Sequence, residues 1–119
     1  MKLYPRLSHP ADFTDLPPLT ETPGYRVLRG DPRTSIRFDQ GDNNSDSRMG
    51  LWKCTEGSFE CVEKGDELQT LISGKLTLIR ENGEQVSLLP GDSVFTFQGE
   101  KLIWDIQEEV TKVFFTQVT

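Results

Sequence analysis

An all-β sandwich or barrel is the fold class this sequence predicts, and three observations predict it. Beyond residue 40 the glycines fall at 41, 50, 57, 65, 74, 83, 91 and 99, a spacing of seven to nine residues that suits turns between short strands. The runs between them are rich in Val, Ile, Thr, Phe and Trp, which fit a pleated, half-buried surface. No window carries the apolar stripe of an amphipathic helix. At 119 residues the chain fits one domain with one modest core.

The elements follow in order. Six of the seven prolines lie within the first 32 residues, where they disfavour both helix and central strand. Residues 1–24 therefore read as an extended N-terminal arm and residues 25–119 as the barrel, with YRVLRG (25–30) as the first short strand. SIRF (35–38) and LWKCT (51–55) alternate polar and apolar residues on either side of the polar loop GDNNSDSR (41–48). KLTLIR and QVSLL flank Glu81-Asn82-Gly83-Glu84, in which Asn-Gly is a strong hairpin signal. Pro90-Gly91-Asp92 turns into SVFTF, QGE (98–100) turns into KLIWDI, and TKVFFTQV closes the chain. About eight strands after the arm are expected, the number of a jelly roll or small closed barrel.

Charge and composition exclude some functions. Nineteen acidic residues against 13 basic ones give a net charge of −6, which repels phosphate backbones and anionic lipid, so neither nucleic acid nor a membrane surface is expected as a partner. Met1 to Leu7 is interrupted by Pro5, lacks the apolar run of a signal peptide, and no stretch approaches the length of a membrane span. The expectation is a soluble cytoplasmic protein, in which Cys54 and Cys61 are buried free thiols rather than a bridge.

Glycine and carboxylate spacing carries a resemblance. GSFECVEKGDELQTLISG, from Gly57, and GDSVFTFQGEKLIWDI, from Gly91, resemble the two motifs of the cupin superfamily, G-x5-H-x-H-x3,4-E-x6-G and G-x5-P-x-G-x2-H-x3-N. Glu67 and Gly74 fit the end of the first motif, and Gly91 and Gly99 fit the glycines of the second. Gly57 sits closer to Glu67 than the pattern asks, and Phe97 replaces the proline. The sequence also resembles the small single-domain cupins similar to ureidoglycine aminohydrolase and ethanolamine-utilisation cupin domains. The elements that carry this are Trp52-Lys53-Cys54-Thr55-Glu56-Gly57-Ser58-Phe59, Asp66-Glu67, Gly74, Gly91-Asp92, Trp104 and Lys112. The resemblance covers about residues 27–116. It implies a cupin jelly-roll β-barrel, or double-stranded β-helix, whose motif positions point into a cavity, and it favours a homodimer. It does not imply one reaction.

In that register the two motif histidines fall on Cys61 and Glu63, the third on Leu102 and the terminal asparagine on Ile106. His9, in the arm, is the single histidine of the chain, so no multi-histidine metal site can form. Cys61, Glu63 and Glu67 remain as a mixed thiolate and carboxylate set that selects no metal cleanly, so no cofactor is expected and a divalent metal on these three is the alternative. Two nearby carboxylates without a cation repel each other and raise one pKa. The expected compensator is Lys112 or a proton; the competing reading of Lys112 is a solvated lysine on an exposed face.

The ligand-binding set expected around the cavity is Glu63, Glu67, Gln69, Leu102, Trp104 and Lys112. Trp104 shares a strand face with Leu102 and reads either as a stacking wall or as plain core; Trp52 and Phe59 carry the same double reading. If Glu67, Gln69 and Leu71 face inward, Leu68, Thr70 and Ile72 face outward, and that partly apolar face wants cover from the arm or from a second subunit, with an exchanged arm satisfying both. The expected function is a metal-independent cavity for a small polar molecule, nitrogen-bearing or carboxylated, in which Glu63 or Glu67 would be the general acid or base of any reaction. The alternatives are a metal-dependent enzyme resembling ureidoglycine aminohydrolase and a non-catalytic ligand sensor or assembly module.

Overall fold

A computed structural model describes all 119 residues. Its nine strands are β1 (Thr14–Asp15), β2 (Tyr25–Gly30), β3 (Thr34–Gln40), β4 (Ser47–Cys54), β5 (Gly57–Val62), β6 (Asp66–Arg80), β7 (Gln85–Leu88), β8 (Ser93–Thr96) and β9 (Lys101–Gln117), with one 3-10 turn at Leu19–Glu21. The fold is all-β, and eight strands follow residue 24.

All pairings are antiparallel, and one hydrogen-bonded sheet curls on itself. The long strands β6 and β9 pair along their whole lengths and run through both halves of the curl. The C-terminal half of β9 pairs with β4, which pairs with β3 and then β1; its N-terminal half pairs with β5, which pairs with β2. On its other edge β6 carries β8 along its first residues and β7 along its last. Two layers therefore face each other, β1-β3-β4-β9-β6-β8 and β2-β5-β9-β6-β7, joined by strands they share.

The shared strands must bend. β6 does so with register shifts between Leu71 and Leu76, so its inward residues change from Gln69 and Leu71 to Leu76 and Leu78. Gly74 sits at the bend with φ +90°, and a Cβ there would lie 2.1 Å from the Glu109 carbonyl oxygen of β9. Gly50 inside β4 is held by a similar approach, 1.9 Å from a Cβ to the Arg37 oxygen. Neither glycine marks a turn, unlike Gly83, whose φ of +88° serves the expected Asn-Gly hairpin between β6 and β7. Likewise KLIWDI and TKVFFTQV, expected as separate strands, are one 17-residue strand. No glycine or proline separates them, and β6 carries the ladder past Glu108.

Leu71, Leu76, Leu78, Leu88, Ile106 and Val110 belong to a continuous apolar core between the layers. The outer faces differ. On the β2-β5-β9 layer Arg26 and Lys101 pair with Glu60 at 3.4 and 3.5 Å, and Arg29 pairs with Asp105 at 2.7 Å, a solvated arrangement of small energetic worth. Part of the other outer face is covered by residues 1–13. Tyr4 Oη donates to Asp39 at 2.6 Å, the Leu7 amide donates to the Ile72 carbonyl, and Lys53 lies 4.9 Å from the Phe13 ring. Residues 16–23 then cross one mouth of the curl, with Leu19 buried in the core. No helix is long and apolar enough to cross a membrane.

Candidate functional site

The two layers leave a cavity of about 450 Å³ at the mouth crossed by residues 16–23. Strand alternation sends Trp52 of β4, Phe59 and Cys61 of β5, Glu67 of β6 and Trp104, Lys112 and Thr116 of β9 inward to line it. Glu63 follows the last residue of β5, and its backbone is fixed on both sides: its amide donates to Glu100 O at 2.9 Å and its carbonyl accepts from Gly99 at 2.8 Å.

Lys112 is the electrostatic centre. Its side chain is 9 % exposed, and its ammonium donates to Glu67 Oε2 at 3.2 Å and to Gln69 Oε1. The same nitrogen lies 4.6 Å from the centre of the Trp52 ring and 4.5 Å from that of Trp104, close enough for both faces to stabilise its charge. Thr116 Oγ1 donates to Glu67 Oε1 at 2.6 Å, so both Glu67 oxygens are used. Gln69 is fixed in turn by donating from Nε2 to Thr96 at 2.9 Å.

Glu63 is placed differently. Its Oε1 accepts from Trp104 Nε1 at 3.1 Å and from the Cys61 thiol at 3.6 Å, and it enters no ion pair. Burial raises its pKa above the ordinary 4.5; the Lys112 charge works against that rise and Glu67 adds to it. The cysteines are both free and buried. Burial pushes the Cys54 thiol up to about 12, and burial followed by the Glu63 charge raises the Cys61 thiol as well.

Of the expected residues, Glu63, Glu67, Trp104 and Lys112 line the cavity together. Gln69 lies beneath them, 2 % exposed, and reaches the site through Lys112. Leu102 is placed in the core instead of on the cavity wall: it is 3 % exposed opposite Cys61 and belongs to the core cluster with Leu78. The face shared with Trp104 is the one expected, but only the longer indole reaches the space. Thr116, Tyr25 and the 16–23 segment are among the contributors that were not anticipated. Thr116 follows from the alternation that places Lys112, four residues away on the same strand face. Tyr25, the cross-strand partner of Cys61, and the 16–23 segment at the mouth carry no signal in local spacing.

As arranged here, Cys61, Glu63 and Glu67 are engaged with protein partners rather than grouped around one point. No three His, Cys, Asp or Glu side chains converge on a point, the Cys61 thiol proton is used on Glu63, and the Lys112 ammonium is in contact with Glu67. A dication added there would meet the positive charge of Lys112.

Residues 37–114 match the family model for the EutQ-like cupin domain. No curated protein matches the sequence. Among solved structures, the EutQ protein of Clostridium difficile superposes with a TM-score of 0.64 at 20% identity, over 78% of this chain and 80% of that one. A protein of unknown function from Pseudomonas syringae pv. tomato gives 0.72 at 27% identity over 90% of this chain, which spans 45% of that protein. A cupin-2 domain protein from Shewanella frigidimarina gives 0.57 at 21% identity, over 70% of this chain and 79% of that one.

Proposed function

This chain belongs to the EutQ-like cupin domain family, and from that premise we propose that its cavity binds a small polar molecule without a bound metal, the Lys112 ammonium supplying the internal positive charge. The observation that carries this is the position of Lys112. It is buried, paired with Glu67 and Gln69, and enclosed by Trp52 and Trp104, beside open space of about 450 Å³. A buried lysine held in this way neutralises one of two cavity carboxylates and leaves the volume beside it free for a ligand.

Glu63 is the group that would exchange a proton with that ligand. Glu67 has both oxygens engaged, whereas Glu63 has a free oxygen and a raised pKa, the combination a general acid or base requires. The names of the similar structures bring no substrate to this chain, because likeness at their identities carries the fold alone.

Two measurements test the proposal. Metal analysis of protein purified without chelator should find no stoichiometric manganese, zinc or iron; finding one overturns the metal-free part. A thermal-shift screen of small polar compounds should return hits that also move the Trp104 indole N–H resonance. A hit that is never turned over assigns the protein to sensing or assembly instead of catalysis.

We further propose that two copies pair through the outer face of the β4-β9-β6-β8 layer. Met49, Phe115, Leu68 and Phe95 stand opposite one another on these four strands, and Phe115, Leu68 and Phe95 are 43, 50 and 49 % exposed. Phe97 extends the row against Phe95 at 5.1 Å. Leu7 reaches Ile72 through its amide while this row stays open, and the opposite layer presents ion pairs. Contiguous apolar surface of this kind marks an interaction site. Sedimentation should show a dimer that Leu68→Glu dissociates; a monomeric wild type overturns the pairing.

A further inference from the structure

We infer that the free oxygen of Glu63, set against the aromatic wall of the cavity, anchors a cationic nitrogen, so that the ligand is a small ammonium or amidinium compound. This rests on the small-molecule reading above and narrows it.

The two cavity carboxylates differ in what remains open on them. Glu67 has a donor on each oxygen, Thr116 on Oε1 and Lys112 on Oε2. Glu63 has Oε1 filled by Trp104 and Cys61, while Oε2 has no partner in the protein and is not sealed from the cavity. A half-buried carboxylate with an open oxygen calls for a proton, water or a donor that the ligand brings, and a charged donor makes the strongest of these contacts.

The surrounding surface favours the cation. Tyr25 and Phe59 rings lie 5.7 Å apart, and Phe59 stacks on Trp104 at 6.3 Å and 5°. Aromatic faces attract cations, and this cavity already holds one cation in that way, Lys112 between Trp52 and Trp104. The Tyr25 hydroxyl, also without a protein partner, offers an acceptor for a second N–H of the same ligand.

Other charged or titratable groups that face Glu63 are Cys61 from β5, Lys112 from β9, Glu67 from β6 and Tyr25 from β2. The Lys112 charge is taken up by Glu67 and Gln69. Lys64, the next residue, is exposed at the mouth with its ammonium 5.7 Å from the Tyr25 ring. None of these occupies the open side of Glu63, so an incoming cation competes there with a proton, whose binding burial favours. Binding should therefore tighten as the pH rises through the raised Glu63 pKa, releasing a proton below it and none above it.

The test titrates nitrogen-15-labelled protein with matched probes, benzamidinium, benzamide and benzoate, and with the smaller set methylguanidinium, methylurea and acetate. The Trp104 indole N–H is read because it is bonded to Glu63. A cation of at least one size should bind about tenfold or more tighter than its neutral partner, with the anion weakest. Glu63→Gln, checked for an intact amide spectrum, should bring cation and neutral probe to equal affinity. Calorimetry on the unaltered protein in buffers of different ionisation enthalpy, repeated from pH 4.5 upward, should show proton release that fades as the pH rises, a readout independent of the variant.

Neutral or anionic probes that bind the cavity as tightly as the cations overturn the inference and leave the small-molecule reading standing. So does a cation preference that survives Glu63→Gln. If no cation binds at millimolar concentration the inference fails, and if every probe fails with it the small-molecule reading fails too.

Discussion

The Lys112 ammonium lies 3.2 Å from Glu67 Oε2, across the β6–β9 pairing that joins the two layers, and the two side chains are 9 and 15 % exposed. The arrangement is costly to break on one side only. In Lys112→Met, Glu67 keeps Thr116 but loses its cation while its side chain stays largely shielded from water, and destabilisation of about 3 kcal/mol is expected. Adding Glu67→Gln removes the orphaned charge and should restore more than half of that loss. Chemical denaturation of both single variants and the double variant checks this coupling; additive effects would mean that the pair carries no interaction energy.

Glu63 gives the stability a pH dependence of predictable sign. Its folded pKa is raised above 4.5, so the folded chain binds more protons than the unfolded one between those two values. Stability should fall as pH rises from about 4.5 through the folded value, then level off. Glu63→Gln cannot ionise and should lose this downward slope while keeping the Trp104 contact through its amide oxygen. Denaturation midpoints from pH 4.5 to 8 for both proteins measure the difference, and matching slopes would place the titration elsewhere.

Much of this architecture was legible in the chain, and the parts that were not share a physical cause. Regular glycines announced an all-β fold because most strand connections need a positive φ, as at Gly83. The same residue type also serves a different need at Gly50 and Gly74, where another backbone comes too close for a Cβ. That approach involves strands distant in sequence and leaves no local trace. Alternation placed Glu67, Trp104 and Lys112 on one inner surface, and carried two more steps from Lys112 it reaches Thr116. It misplaced Leu102, since facing inward is necessary but not sufficient for reaching the cavity. Tyr25 was hidden because its neighbour Cys61 lies on a strand paired only in three dimensions.

The two uses of glycine can be separated by experiment. Gly83→Ala meets no atom within 4 Å and suffers only the backbone penalty of a positive φ, about 1 kcal/mol. Gly74→Ala carries the same penalty and would also drive a methyl group to 2.1 Å from the Glu109 oxygen, so β6 and β9 must separate. A loss of at least about 3 kcal/mol or failure to fold is expected. Equal melting temperatures for the two variants would show that the bend tolerates a side chain.

Acid should release the N-terminal residues before it unfolds the barrel. Burial by itself would raise the Asp39 carboxyl, but hydrogen bonds from Arg37 and Tyr4 outweigh it and hold the pKa below the ordinary 3.8. For a carboxyl lowered in this way the stabilisation is present above 3.8 and is lost as pH falls through the lower, folded value. The Tyr4 hydroxyl, donating to Asp39 at 2.6 Å, ties the first residues to β3, so protonation weakens that tie directly. Asp39→Asn should mimic the acid state at neutral pH, and Tyr4→Phe should do so in part. Hydrogen exchange at the Leu7 amide, which is bonded to Ile72, reports the release: it should speed up in both variants while amides of β6 and β9 stay protected. Unchanged exchange at Leu7 would mean that apolar contacts alone hold these residues to the sheet.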